Sequence, residues 1–120
     1  MEKLTRIILP EKKIFEGVFI QVYIKGESYI RFEEGNNASC RNLLFKLLKE
    51  SNISYKVGYM APLSEGENYK MVGNGKARIA GEEFILSKSS KGGLGPDEKH
   101  LEDLAPYLPE GIKLVINNNY

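Results

Sequence analysis

The chain has 120 residues, the length of a single domain that buries its own core without metal or disulfide support. Its 17 Lys and Arg stand against 16 Asp and Glu, so no global field draws it to nucleic acid or an anionic membrane, and any such binding rests on a local patch. The single cysteine, Cys40, excludes an intramolecular disulfide and fits a reducing compartment, so a soluble cytoplasmic domain spanning 1–120 is expected.

The first apolar run, Ile7 to Leu9, ends at Pro10, too short for a signal-peptide core or a spanning helix. Leu4 to Leu9 reads as a short strand. Ile14 to Ile24 is rich in β-branched and aromatic residues, with Val18, Ile20, Val22 and Ile24 on one pleat face and Phe15, Phe19 and Tyr23 on the other. A strand apolar on both sides belongs at the centre of a sheet covered twice. Lys25 and Gly26 turn the chain into Ser28 to Glu33, which carries Ile30 and Phe32 on one face and Tyr29, Arg31 and Glu33 on the other, predicting a β-hairpin.

Asn37 or Ser39 can cap the helix that follows. There the period changes: Cys40, Leu43, Leu44, Leu47 and Leu48 fall on one helical stripe, opposite Arg41, Asn42, Lys46, Lys49 and Glu50. Asn52 can adopt the left-handed backbone that ends such a helix. Ile53 to Met60 alternates like a half-exposed strand, and Ala61 to Asn68 reads as a loop. Tyr69 to Val72 and Lys76 to Ala80 flank Gly73-Asn74-Gly75, which predicts a second hairpin with a type I′ turn. Phe84 to Ser87 adds a short strand. A glycine-rich loop then leads to a helix from Pro96 with an apolar stripe of Leu101, Leu104, Ala105 and Leu108. Ile112 to Asn117 is the last strand, before a tail at 117–120 expected to fray. The order β-β-β-α-β-β-β-β-α-β, with strands paired mainly as hairpins, predicts an α+β fold: a mixed, largely antiparallel sheet with two helices packed on it.

Three places invite function. The loop from Ser87 to Gly95 offers Lys88 and Lys91 for charge and Gly92 and Gly93 for close backbone approach to a phosphate, with Arg78 as a further cation. It lacks the Walker A and dinucleotide-binding spacings, and Asp97 and Glu98 at the helix start oppose an anion. His100, the only histidine, falls at the margin of its helix's apolar stripe with Asp97 and Asp103 one turn away, where carboxylates favour its charged form and general acid or base chemistry becomes available. The third is a sheet face bearing Tyr55, Tyr59, Tyr29 and Arg31, suited to stacking bases or anchoring a protein partner.

The adjacent carboxylates Glu33-Glu34, Glu82-Glu83 and Asp97-Glu98 sit at turns and helix starts and form no facing pair. One histidine and one cysteine on different helices give no metal site, and no cofactor is expected. The leading expectation is RNA or nucleotide-phosphate binding, with a metal-independent ribonuclease-type activity in which His100 is the general acid or base. The alternative is a non-catalytic interaction protein, of inhibitor or immunity type, that uses the tyrosine-rich face. A third reading places a small molecule between sheet and helix. No membrane partner is expected.

Overall fold

A computed structural model of the chain describes residues 6–9, 16–35, 40–53, 57–58, 61–62, 65–66, 68–88 and 94–117. Among the described residues seven strands and two helices follow one another: β1 (Glu16–Ile24), β2 (Glu27–Glu34), α1 (Cys40–Glu50), β3 (Val57–Gly58), β4 (Ala61–Pro62), β5 (Tyr69–Ala80), β6 (Glu83–Ser87), α2 (Glu98–Leu104), a 3-10 turn (Ala105–Tyr107) and β7 (Lys113–Asn117). Five of the strands form one sheet in the order β2-β1-β5-β6-β7, antiparallel throughout except for the parallel β6–β7 pair. The fold is thus α+β, a mixed and largely antiparallel sheet with a helix on each face.

The two-sided apolar pattern of β1 places it between β2 and β5. Ile20, Val22 and Ile24 join Leu43, Leu44, Leu47 and Leu48 of α1 in one core cluster, while Phe19 turns to the other face with Ile30, Ala77, Leu86 and Leu104. Each fully buried leucine contributes on the order of 2 kcal/mol, so the four of α1 secure that face. The β1–β2 turn uses Lys25 (φ 51°) and Gly26 (φ 82°), and Asn52 (φ 56°) ends α1 as its residue type allows.

Four expectations are corrected. The Gly73-Asn74-Gly75 segment is no turn: β5 runs unbroken from Tyr69 to Ala80, because β1 pairs with it from Tyr69 to Arg78, with one irregularity opposite Gln21 and Val22, and β6 pairs with its second half. Glycine serves here for close packing, since a Cβ on Gly73 would strike the Gln21 amide and one on Gly75 the Ser87 carbonyl. The first segment forms a single parallel bridge, Ile7 to Ile30, and no described strand. Of Ile53 to Met60, only Val57–Gly58 is strand among the described residues, and Ile53 lies outside it. Ala61–Pro62, expected in a loop, pairs with it as β4.

Candidate functional site

His100 does not sit at a helix margin. Its residue is 0% exposed, beneath β1 on the α2 face. Asp97 caps α2, its Oδ1 accepting from the His100 backbone N–H at 2.9 Å, and this fixes the first turn so that the imidazole points into the sheet. There Gln21, the one polar residue in the run Val18 to Ile24 apart from Tyr23, meets it. Gln21 is also 0% exposed.

The hydrogen bonds determine the tautomer. Asp97 N–H donates to Gln21 Oε1 at 2.7 Å, and Gln21 Nε2 donates to the Asp97 carbonyl at 3.0 Å, so the amide orientation is set by two backbone groups of known polarity. The second Nε2 hydrogen then faces His100 Nδ1 at 3.2 Å, which must accept. The ring proton therefore resides on Nε2, which donates to the Val22 carbonyl at 3.1 Å. Tyr23 packs edge-on against the ring, centroids 4.8 Å apart, and its hydroxyl donates to Asp103 Oδ2 at 2.8 Å. Burial, then the Asp103 bond, push the Tyr23 phenol up to about 12.

Carboxylates one turn away were expected to favour the imidazolium. Burial wins instead and lowers the His100 pKa, outweighing the Val22 carbonyl, Asp97 and Asp103, each of which acts in the opposite direction. In this arrangement His100 is a neutral, fully bonded group without solvent contact.

Of the cations expected around it, Arg78 and Lys88 lie among the described residues. Arg78 is exposed on the α1 face, the side of the sheet opposite His100, as its register with Glu16 and Ile85 requires. Lys88 is exposed, and its stem lies where a Cβ on Gly95 would point. Lys91, Gly92 and Gly93 lie outside the described residues. The loop returns where Asn74 receives it, with Leu94 N–H donating to Asn74 Oδ1 at 3.0 Å and Asn74 N–H to the Gly95 carbonyl at 3.1 Å. Asn74 has the residue type of a turn, but at the centre of β5 its side chain and backbone amide hold the returning loop instead.

Of the tyrosine-rich face, Tyr29 and Arg31 lie among the described residues. Tyr29 and Arg31 do share a face, but it lies under α1, leaving them 5% and 4% exposed. Tyr29 donates to Glu27, and Arg31 donates from Nη1 to the Arg6 and Ile30 carbonyls with Glu50 3.7 Å from Nη2. Tyr55 and Tyr59 lie outside the described residues. Cys40 is half-buried with its thiol pushed up by burial and directed at the Phe19 carbonyl, which disfavours the thiolate. Among the described residues no group of three or more His, Cys, Asp or Glu could hold a metal ion, and no helix is long and apolar enough to cross a membrane. An open groove of about 260 Å³ at the β1–β2 turn, lined by Tyr23, Lys25, Glu65, Asn68, Tyr69 and Lys70, falls below the usual volume of a small-molecule site.

A surface that no motif announced lies on the α1 face. α1 packs on β2, β1 and β5, where Tyr69 and Met71 join its cluster, and the residues farther along this face are half-buried or exposed. The open part presents Lys76 and Arg78 from β5, Glu83, Ile85 and Ser87 from β6, and Lys113, Val115 and Asn117 from β7. Ile85 and Val115, register partners, are half-buried, and Glu83 stands beside Lys113 as Glu16 does beside Arg78. Comparison with protein-family models, curated proteins and solved structures finds no match to the chain.

Proposed function

We propose that this domain is a non-catalytic protein-binding module that engages its partner through the open half of the α1 face. The observation that carries this is the make-up of that surface: half-exposed Ile85 and Val115 at its centre, ringed by charges of both signs. An apolar centre with a polar rim suits a protein partner. A nucleic acid would need a net positive field, and the Glu16–Arg78 and Glu83–Lys113 neighbours cancel most of it, leaving Lys76. The sealed state of His100 also favours binding over catalysis, because an acid or base must reach its substrate.

The test is affinity capture with the tagged domain, wild type against Ile85→Asp and Val115→Asp, each first checked for a wild-type melting curve. A stoichiometric protein retained by wild type and lost from both variants is expected; equal retention by all three overturns the surface. Titration with single-stranded RNA at low salt runs in parallel. No salt-sensitive binding is expected, and tight binding weakened by Lys88→Ala would replace this reading with nucleic-acid binding.

A further inference from the structure

We propose that His100 is a pH-operated latch: its neutral imidazole ties α2 to the central strand β1, and protonation releases the helix and the segment leading into it from the sheet. The inference stands whether or not the open α1 face binds a partner, since the latch lies on the opposite side.

The geometry leaves the ring no place for a second proton. Protonated Nδ1–H would point at the Gln21 Nε2 amide nitrogen 3.2 Å away, donor against donor. Turning the Gln21 amide over would provide an acceptor, but it would set Oε1 against the Asp97 carbonyl and Nε2 against the Asp97 N–H, breaking both bonds that hold the start of α2. Nε2 is already committed to Val22. Protonation therefore disrupts the anchor either way.

The charged and titratable groups facing the ring offset its burial only in part. From α2, Asp97 and Asp103 favour the charged ring but are outweighed by burial, and they already engage the His100 backbone amide through Oδ1 and the Tyr23 hydroxyl through Oδ2. From β1, Tyr23 is a neutral phenol; on β5, its register partner Lys70 is paired with Glu65 at 4.0 Å; on β2 the partner is Ser28, without charge. α2 itself has seven residues, and its apolar hold consists of buried Leu104 and half-buried Leu101. Losing the His100 and Gln21 bonds removes much of what keeps so short a helix in place.

The sign follows from linkage. A histidine whose folded pKa lies below its unfolded value of about 6.5 contributes stability that is complete above that pH and is lost as pH falls toward the folded pKa, by at most tenfold in the equilibrium constant per pH unit.

Because the chain has one histidine, nitrogen NMR of the wild-type imidazole reads its state without a variant. The expected result is the Nε2–H tautomer, untitrated at pH 6.5. Hydrogen exchange between pH 7.5 and 5 gives the second readout. The protection factors of Leu101 and Leu104 amides are expected to fall, approaching tenfold per pH unit below 6.5, and to stay smaller than those of Leu44 and Leu47 in α1 at every pH, because α2 opens without the rest of the chain. In His100→Gln, if folded, the fall at Leu101 and Leu104 is absent. An imidazole titrating near 6.5 with α2 protection unchanged overturns the latch, and so does one common protection factor for both helices at every pH, which marks global unfolding.

Discussion

Gln21 holds Asp97 by both of that residue's backbone groups, accepting from its N–H at 2.7 Å and donating to its carbonyl at 3.0 Å. A side chain of the central strand thereby acts as a strand edge toward the residue that caps α2. The same amide assigns the tautomer of His100, so two of the molecule's buried polar residues are specified together.

Replacing Gln21 by Leu strands the partly buried Asp97 amide and the buried His100 Nδ1, while the Asp97 carbonyl keeps the Leu101 N–H at 3.3 Å. A stranded buried group costs about 1–3 kcal/mol, so a loss on the order of 3 kcal/mol is expected in urea unfolding at pH 7.5. A loss under about 1 kcal/mol would show that water or a relaxed α2 satisfies these groups.

Gln21→Glu should invert the pH response. A carboxylate still accepts from Asp97 N–H and now also accepts from a protonated Nδ1, so the charged imidazole gains a partner. The His100 midpoint is expected above both the wild-type value and the unfolded value of about 6.5. The raised folded pKa then makes this variant's stability contribution present at low pH and lost as pH rises through that midpoint. Nitrogen NMR of the single histidine reads the shift; an unchanged midpoint contradicts the bonding pattern.

Gly73→Ala and Gly75→Ala are each expected to destabilise by about 1–3 kcal/mol, the usual range for overpacking. The added methyl meets the Gln21 side chain in the first and the Ser87 carbonyl in the second. Were Gly73-Asn74-Gly75 a hairpin turn, Gly73→Ala would leave the Gln21 bonds untouched. Loss of the His100 and Asp97 amide shifts of the wild type in the Gly73 variant distinguishes the straight strand.

At alkaline pH the informative group is Tyr23. With its phenol pushed up to about 12 from an unfolded value near 10, it contributes stability that is complete below pH 10 and lost as pH rises toward 12. The ultraviolet titration of wild type minus that of Tyr23→Phe should isolate one late-ionising phenol. A difference curve centred near 10 contradicts the Asp103 bond.

Lys25 holds a left-handed conformation, φ 51°, in the β1–β2 turn. Lysine tolerates this poorly and asparagine well, so Lys25→Asn is expected to stabilise by about 0.5–1 kcal/mol, read as a higher melting temperature. The exposed position argues against an offsetting loss of packing.

Much of the fold was legible because local patterns and global packing agree. The apolar residues on both faces of β1 demanded a central, twice-covered strand, the leucine stripe demanded a helix over one side of it, and Lys25-Gly26 and Asn52 marked chain reversals by backbone preference alone. These signals are short-range, carried by period and by residue type. What pairs with what is long-range. Gly73-Asn74-Gly75 has the composition of a turn, and only the presence of β1 and β6 on either side, needing close approach, keeps it extended. His100 carries helix-margin spacing, and only Gln21, 79 residues earlier in the chain, makes its burial tolerable by bonding one ring nitrogen while Val22 bonds the other. Tyr29 and Arg31 alternate as an exposed face should, yet α1 lands on them. The sequence by itself determined the elements and the two-faced core strand; tertiary structure alone decided which polar groups are buried, because a buried polar group is stable only where a partner from a distant part of the chain satisfies it.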